Sequence, residues 1–338
     1  MEKLPRRAFI QAVGTGTCAL LGGVVWQGLG RGEVQGLKVV RRSGLALGTQ
    51  VHMTALHERE AVAEAGVIAA FAALERVESV MSVYREDSQI STLNRTGTLA
   101  NADPWLVQLL KQAQELAEKT NGAFDVTVQP LWDLYSKHHR ENRLPDDAEV
   151  ERVRQLVDYR QLEIFDDTIR CLQPGMKVTL NGIAQGFAAD QAALAMQQAG
   201  VQQALLDTGE LVGMGHNIGG QSWTVGVQHP RKADAFLSLA PLADRALATS
   251  GDYATTFHPD RSYNHLFDPR TGRSPLTYSS VSIAAPTATQ ADAFSTALFV
   301  LDLAAGQALL KSTPGVDALL VLKSGQVLRS SGFPALPV

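Results

Sequence analysis

Asp292, Ser295 and Thr296 make the clearest offer of chemistry in the sequence. In Ala291-Asp292-Ala293-Phe294-Ser295-Thr296 the aspartate and threonine are four residues apart and the aspartate and serine three, so on a helix their oxygens share one face. One carboxylate among hydroxyls suits a hard cation such as Mg²⁺, completed by phosphate oxygens and water, and does not suit zinc. An aspartate near a helix start would also serve as a cap, favoured by the helix dipole. A second patch, Asn181-Gly182-Ile183-Ala184-Gln185-Gly186-Phe187, is a glycine-containing turn that feeds a helix. Backbone N–H groups in such a turn can approach a phosphate. The patch is neither a P-loop nor GxGxxG, and a plain strand-to-helix turn would look the same. His265 reads as the end of a short strand, just before the turn Asp268-Pro269-Arg270-Thr271-Gly272. There it could take a proton from a hydroxyl near neutral pH, or be an ordinary strand-end histidine. Tyr84 and Phe124 could flank a planar ring or lie in the core.

These residues need elements to hold them. Leu37 to Leu56 predicts two strands broken at Ser43-Gly44, and Glu58 to Met81 a long amphipathic helix. Asp103-Pro104 opens a helix that ends at Thr120-Asn121-Gly122. Phe124 to Val128 reads as a short strand stopped by Pro130, and Asp147 to Leu156 as a polar helix. Strands are expected near Glu163, Ile169 and Val178, then a helix from Ala184 to Ala199. Short strands follow near Ala204–Leu206, Trp223–Val227 and Leu237–Leu239. The last block reads strand (Ser280–Ala284), helix (Ala291–Leu301), helix (Ala305–Ser312) and two strands (Leu319–Leu322, Val327–Arg329). Runs of strands and paired helices predict an α+β fold rather than a regular βαβ alternation.

Composition bounds the function. The chain has 338 residues, 45% hydrophobic and 19% charged, an ordinary globular balance. A net charge of −4 gives no footprint for nucleic acid. Its two cysteines, Cys18 and Cys171, stand far apart, which argues against a zinc site or a disulfide framework. Residues 1–30 differ from the rest: Arg6-Arg7-Ala8-Phe9-Ile10 precedes an apolar stretch from Ala12 to Leu29. That is the form of a twin-arginine export signal, and it predicts a periplasmic protein, with an inner-membrane tether if the leader stays uncleaved. A transmembrane anchor is the other reading of the stretch. From residue 36 to 338 no linker divides the chain, and a single domain is expected.

Seven blocks, in order, resemble the ApbE family, the FAD:protein FMN transferases. They are Leu47-Gly48-Thr49; Met81-Ser82-x-Tyr84-x-x-Asp87-Ser88; Phe124-Asp125-Val126-Thr127-x-x-Pro130-Leu131; Gly182-Ile183-Ala184-x-Gly186-Phe187-Ala188-x-Asp190; Thr249-Ser250-Gly251-Asp252-Tyr253; His265-x-x-Asp268-Pro269-x-Thr271-Gly272; and Ala291-Asp292-Ala293-x-Ser295-Thr296. The resemblance implies a two-lobed, T-fold-like α+β assembly with FAD in the cleft between lobes. It implies Mg²⁺ on Asp292, Ser295, Thr296 and the Gly182 carbonyl. It implies flavin and adenine held by Leu47, Tyr84, Ala123, Phe124, Asp125 and Phe267, cofactor contacts at Thr179 and Gln185, and His265 as the base that activates the acceptor hydroxyl. The acceptor would be an exported or membrane-bound flavoprotein carrying a Ser/Thr flavinylation motif. The Asn-Gly-Ile-Ala-Gln-Gly variant with its leader resembles the NosX-type branch, which points to an electron-transfer component such as one of nitrous oxide respiration. Gln185 stands where many relatives carry Lys, Thr179 where Asp is common, Asn181 where a small residue is usual, and Thr208-Gly209-Glu210 where a Gly-Gly pair is usual. The alternatives at the same site are an FAD pyrophosphatase yielding FMN and AMP, and a non-catalytic FAD-binding assembly factor.

Overall fold

Burial with a period of two along the strands sets the layers of the molecule. A computed structural model of the chain describes residues 36–336; the leader expected over residues 1–30 lies outside them. The chain opens with the hairpin β1 (Lys38–Ala46) and β2 (Thr49–His57), then helices α1 (Glu60–Met81) and α2 (Gln89–Thr96). Next come β3 (Thr98–Leu99), α3 (Pro104–Lys119), α4 (Gln129–Arg140), α5 (Asp147–Arg154), β4 (Leu162–Phe165), β5 (Thr168–Cys171) and α6 (Ala184–Gln198). Strands β6 (Gln203–Asp207), β7 (Leu211–Met214), β8 (Trp223–His229), β9 (Lys232–Leu242) and β10 (Arg245–Gly251) lead to β11 (Tyr278–Ala285). The chain closes with α7 (Ala288–Val300), α8 (Leu303–Lys311), β12 (Asp317–Leu322) and β13 (Val327–Arg329).

Eight strands form one antiparallel sheet in the order β1-β2-β6-β7-β10-β11-β12-β13. One face meets α1, α6 and α7 through Val51, Met53, Leu206, Met214, Ala248 and Ile283. The alternate residues, among them Leu56, Leu205, Leu247, Ala284 and Leu319, pack against Trp223, Val225 and Leu242 of the β8–β9 hairpin. Covered on both sides, β11 is buried along its whole length. A second sheet, β3-β5-β4, sits with α2 and α3, and a third apolar cluster gathers Leu131, Tyr135, Val150, Phe257 and Phe267. This is the α+β fold expected.

Some expected boundaries are displaced, each for a local reason. The first hairpin turns at Leu47-Gly48, both at positive φ (54° and 74°), not at Ser43-Gly44. Gly44 is a mid-strand residue lying against Phe71, whose ring atom Cε1 would stand 2.8 Å from an added Cβ. Phe124 to Val128 is not a strand, because the Asp125 carboxylate accepts the Thr127 N–H and hydroxyl and curls the chain. Pro130 then lies in the first turn of α4 instead of ending a strand. Val178 is not in a strand either; one bridge, between Val128 and Lys177, is all that forms there. His265 lies in a loop, its N–H bound to the Thr255 carbonyl. Helices α2 and α4 have no counterpart in the sequence reading.

Candidate active site

The start of α6 and the first two turns of α7 meet across two aspartates. The N–H groups of the first turn of α7 are capped by Thr287 and Asp190, not by Asp292: the Thr287 hydroxyl accepts from Gln290, and the Asp190 carboxylate, reaching over from α6, accepts from Ala288 and Thr289. Asp292 points the other way, and its Oδ2 accepts the Gly186 N–H of α6 at 2.9 Å. The helices can come so close because residue 186 is glycine; an added Cβ would run into the Ala288 carbonyl and stand 2.7 Å from Asp292 Cβ. Gly182, just before α6, lies against α7 one turn further on, where an added Cβ would be 3.0 Å from Thr296 Oγ1.

The sheet supplies the remaining oxygens. Ala246 and Ala248 of β10 face the helices, and Ser250 continues their alternation. Its Oγ hydrogen-bonds Ser295 Oγ at 2.7 Å and Thr296 Oγ1 at 3.3 Å. Glu210 likewise continues the alternation of Val212 and Met214, which face the helices from β7. It is 8% exposed, and its Oε2 has no hydrogen-bond partner among the described residues. Burial pushes the Asp292 carboxyl up to about 7, against the pull of the Gly186 N–H, and Asp190 adds to the rise. Burial drives Glu210 well above the usual carboxylate range, helped by the charges of Asp292 and Asp207 and opposed by the Thr249 N–H.

Buried carboxylates raised in this way, hydroxyls, a nearby backbone carbonyl and an orphaned carboxylate oxygen are the donor set of a hard divalent cation. Among the described residues no three His, Cys, Asp or Glu side chains converge into a ready-made cluster. A cation here would therefore draw its remaining ligands from phosphate and water, the habit of Mg²⁺. The residues fit Mg²⁺.

The expected cofactor residues divide into those on this rim and those committed to packing. Tyr84 is 62% exposed, and its hydroxyl accepts from the Asn181 amide at 3.4 Å. Thr179 gives its N–H to the Val126 carbonyl, while its hydroxyl accepts the Asn181 N–H at 3.3 Å. Gln185 donates to the Thr208 carbonyl at 3.0 Å and covers Gly209, so it braces the loop that carries Glu210. Ala123 and Phe124 are buried in the main core, so the Phe124 ring faces inward. Asp125 accepts three hydrogen bonds, two from Thr127 and one from the Tyr159 N–H, and burial raises it to about 6. Phe267 packs on Tyr135, ring centroids 4.9 Å apart, and its ring is occupied by that cluster. Leu47 sits at the tip of the β1–β2 hairpin, its N–H bound to Glu78 of α1. A separate groove of about 550 Å³ between α3, α6 and the start of α7 is lined by none of the expected site residues.

His265 connects to this centre through β10. Two residues past Ser250, Asp252 is fully buried, held by both Arg231 nitrogens at 2.6 and 2.7 Å and by Lys323. His265 Nδ1 is 3.2 Å from the Thr255 carbonyl. A carbonyl only accepts, so Nδ1 carries the proton and Nε2 has the free lone pair. Burial lowers the His265 pKa, while the Thr255 carbonyl and the Asp252 charge pull it back up. Asp190, Glu210, Ser250, Asp252 and Arg231 were not assigned roles from sequence. Asp190, Ser250 and Asp252 stand inside the recognised blocks; nothing local marks Arg231, which only the fold brings to Asp252.

Comparison with known proteins gives one answer at three levels. The model of the ApbE family matches residues 47–320. A FAD:protein FMN transferase of Treponema pallidum is 31% identical over 314 residues, 86% of this chain and 87% of that protein. One from Salmonella typhimurium is 29% identical over 75% of each chain. Among solved structures, the flavin transferase ApbE of Vibrio cholerae superposes with a TM-score of 0.78 at 27% identity, over 88% of this chain and 98% of that one. The ApbE protein of Thermotoga maritima does so with a TM-score of 0.78 at 30% identity, over 87% and 97%.

Proposed function

The chain belongs to the ApbE family, and from that premise we propose that it moves the FMN half of FAD onto a threonine or serine hydroxyl of another protein, releasing AMP. The relatives' shared name as FAD:protein FMN transferases supports the reaction class. The observation that carries the reading for this chain is the meeting of Asp292, Thr296 and Gly182 at the start of α6, with Thr296 bonded to Ser250 of β10, two residues before the Asp252 whose charge acts on His265.

A pyrophosphate at that helix start meets the positive end of the α6 dipole. Mg²⁺ held by Asp292, Thr296, Ser295 and the Gly182 carbonyl would neutralise phosphate charge as a Lewis acid. His265, with Nδ1–H on Thr255, offers Nε2 to the acceptor hydroxyl. The hydroxyl proton passes to Nε2 as the oxygen bonds to the FMN-side phosphorus. The bond from that phosphorus to the bridging oxygen breaks, and the electron pair leaves with AMP. Placement and charge neutralisation suffice for this step, without a covalent enzyme intermediate. Exposed Tyr84 and Asn181 at the rim are suited to flank the flavin. The paired Arg6-Arg7 supports an acceptor outside the cytoplasm, an exported or membrane-bound flavoprotein.

The test combines the purified chain, FAD and Mg²⁺ with a candidate acceptor domain and its Thr→Ala counterpart. Intact mass and in-gel flavin fluorescence read the acceptor, and chromatography reads the nucleotides. Flavin on the intact acceptor alone, with AMP released, is expected. Free FMN and AMP with every acceptor unlabelled would replace the transferase with a pyrophosphatase. FAD recovered unchanged throughout would leave a binding protein.

A further inference from the structure

Glu210 is a buried ionisable group that the reaction above leaves without a task. The Gly213–Arg245, Val212–Ala246 and Leu211–Leu247 pairs of β7 and β10 set its direction. With Val212 and Met214 packed on the helix side and Leu211 on the hairpin side, residue 210 belongs to the helix side. That is the side of Ala248, which the register sets opposite residue 210, and of Ser250 two residues on, which hydrogen-bonds Ser295 and Thr296. The Thr249 N–H faces the Glu210 carboxyl group. Gln185, on the first turn of α6, clamps the preceding Thr208-Gly209 through the Thr208 carbonyl. The side chain is thus fixed from both directions, yet Oε2 is left without a partner at 8% exposure. A buried polar oxygen with no partner is destabilising, more so when charged, unless something arrives to satisfy it.

Resting on the reading of Asp292, Thr296 and Gly182 as a cation site, we infer that Glu210 is a second carboxylate of that site, its Oε2 taking the divalent cation or a water bound to it. The consequence concerns order. A lone carboxylate holds Mg²⁺ weakly until substrate phosphates arrive. Two buried carboxylates facing one position give the cation a place before FAD binds, so the metal loads first and FAD completes its shell.

Mn²⁺ titrated into the metal-stripped full chain without FAD, with free Mn²⁺ followed by its electron spin resonance signal, tests this directly. The wild-type chain is expected to bind Mn²⁺, Asp292→Asn to lose binding, and Glu210→Gln to weaken it roughly 10–100-fold, the usual cost of removing a supporting metal contact. Glu163→Gln, an exposed carboxylate on β4, is expected to change nothing. The metal-free Glu210→Gln chain is expected to melt no lower than wild type, which separates loss of a ligand from loss of fold. If that variant does not fold, Glu210→Asp, which keeps the charge but withdraws it by one methylene, is expected to weaken Mn²⁺ in its place. Unchanged Mn²⁺ affinity in the folded variant overturns the inference. Binding that appears only when FAD is added overturns it too, and leaves the cation reading standing. No Mn²⁺ binding with or without FAD overturns both.

Discussion

At the scale of single residues, His265 and Asp252 define the chemistry that pH can report. Burial lowers the His265 pKa, so the neutral imidazole persists to lower pH than usual. A base must be neutral to accept a proton, so the acid limb of the transfer rate is expected below the ordinary imidazole value of ~6.5. A rate profile that titrates at or above that value would remove His265 as the base. His265→Asn is expected to lose transfer by on the order of 10²–10⁴-fold while FAD still binds, measured by quenching of flavin fluorescence. Arg231 gives a second check. It supplies two of the bonds that neutralise fully buried Asp252, and Lys323 covers one oxygen only. Arg231→Ala is expected to lower stability by about 3 kcal/mol in denaturant melts, because the aspartate stays buried with half its partners. The sequence made His265 and Asp292 legible by their neighbours in recognised blocks. Arg231 was not legible, since its role exists only once the β8–β9 turn is folded against the end of β10.

At the scale of elements, the site is a consequence of how closely α6 and α7 approach. Gly186 permits the contact, Asp190 binds the first turn of α7 from α6, and Asp292 binds the first turn of α6 from α7. Each helix thus caps the other, and the oxygens proposed to hold the cation are fixed as a by-product. Gly186→Ala would set a methyl against the Ala288 carbonyl, a backbone atom that cannot swing aside. The expected result is a loss of roughly 3 kcal/mol in thermal or denaturant melts, with weaker Mn²⁺ binding in whatever remains folded. A variant as stable as wild type would mean that the helices tolerate separation and that the capping exchange is not what fixes the site. The sequence predicted both helices, because their apolar spacing and turn residues are local signals. It read Asp292 as a possible cap for its own helix. That the two caps are exchanged between helices depends on an interhelical distance, which no spacing along the chain encodes. The strand expected at Phe124–Val128 fails for the opposite reason: a local signal, the Asp125 side chain bonding to Thr127, outcompetes the apolar pattern.

At the scale of the whole molecule, the residues assigned to the reaction rest on unequal foundations. Asp292, Thr296, Ser250 and Glu210 stand on the main core, between the eight-stranded sheet and its helices. His265 lies in an irregular stretch between β10 and β11, carried by the small cluster of Leu131, Tyr135, Val150, Phe257 and Phe267. Tyr135 ties that stretch down through the Gly272 carbonyl at 3.2 Å, and Arg273 reaches Asp147 of α5. A segment with little buried apolar surface and few ladder hydrogen bonds opens more easily than a core strand. Amide exchange in residues 255–274 is therefore expected to run ahead of β10, β11 and α7 in the free protein. Leu131→Ala should widen the difference, since a buried leucine truncation costs about 2–5 kcal/mol and here it empties the smaller cluster. The same variant should slow transfer while leaving Mn²⁺ binding near wild type, because the cation oxygens do not rest on that cluster. Adding FAD with Mg²⁺ should then slow exchange in two places at once, around residues 182–187 and around residues 263–267. Both gaining protection together is what one ligand bridging the start of α6 and the His265 loop requires. Protection confined to the α6 side would place the nucleotide wholly on the main core and leave His265 outside the reaction.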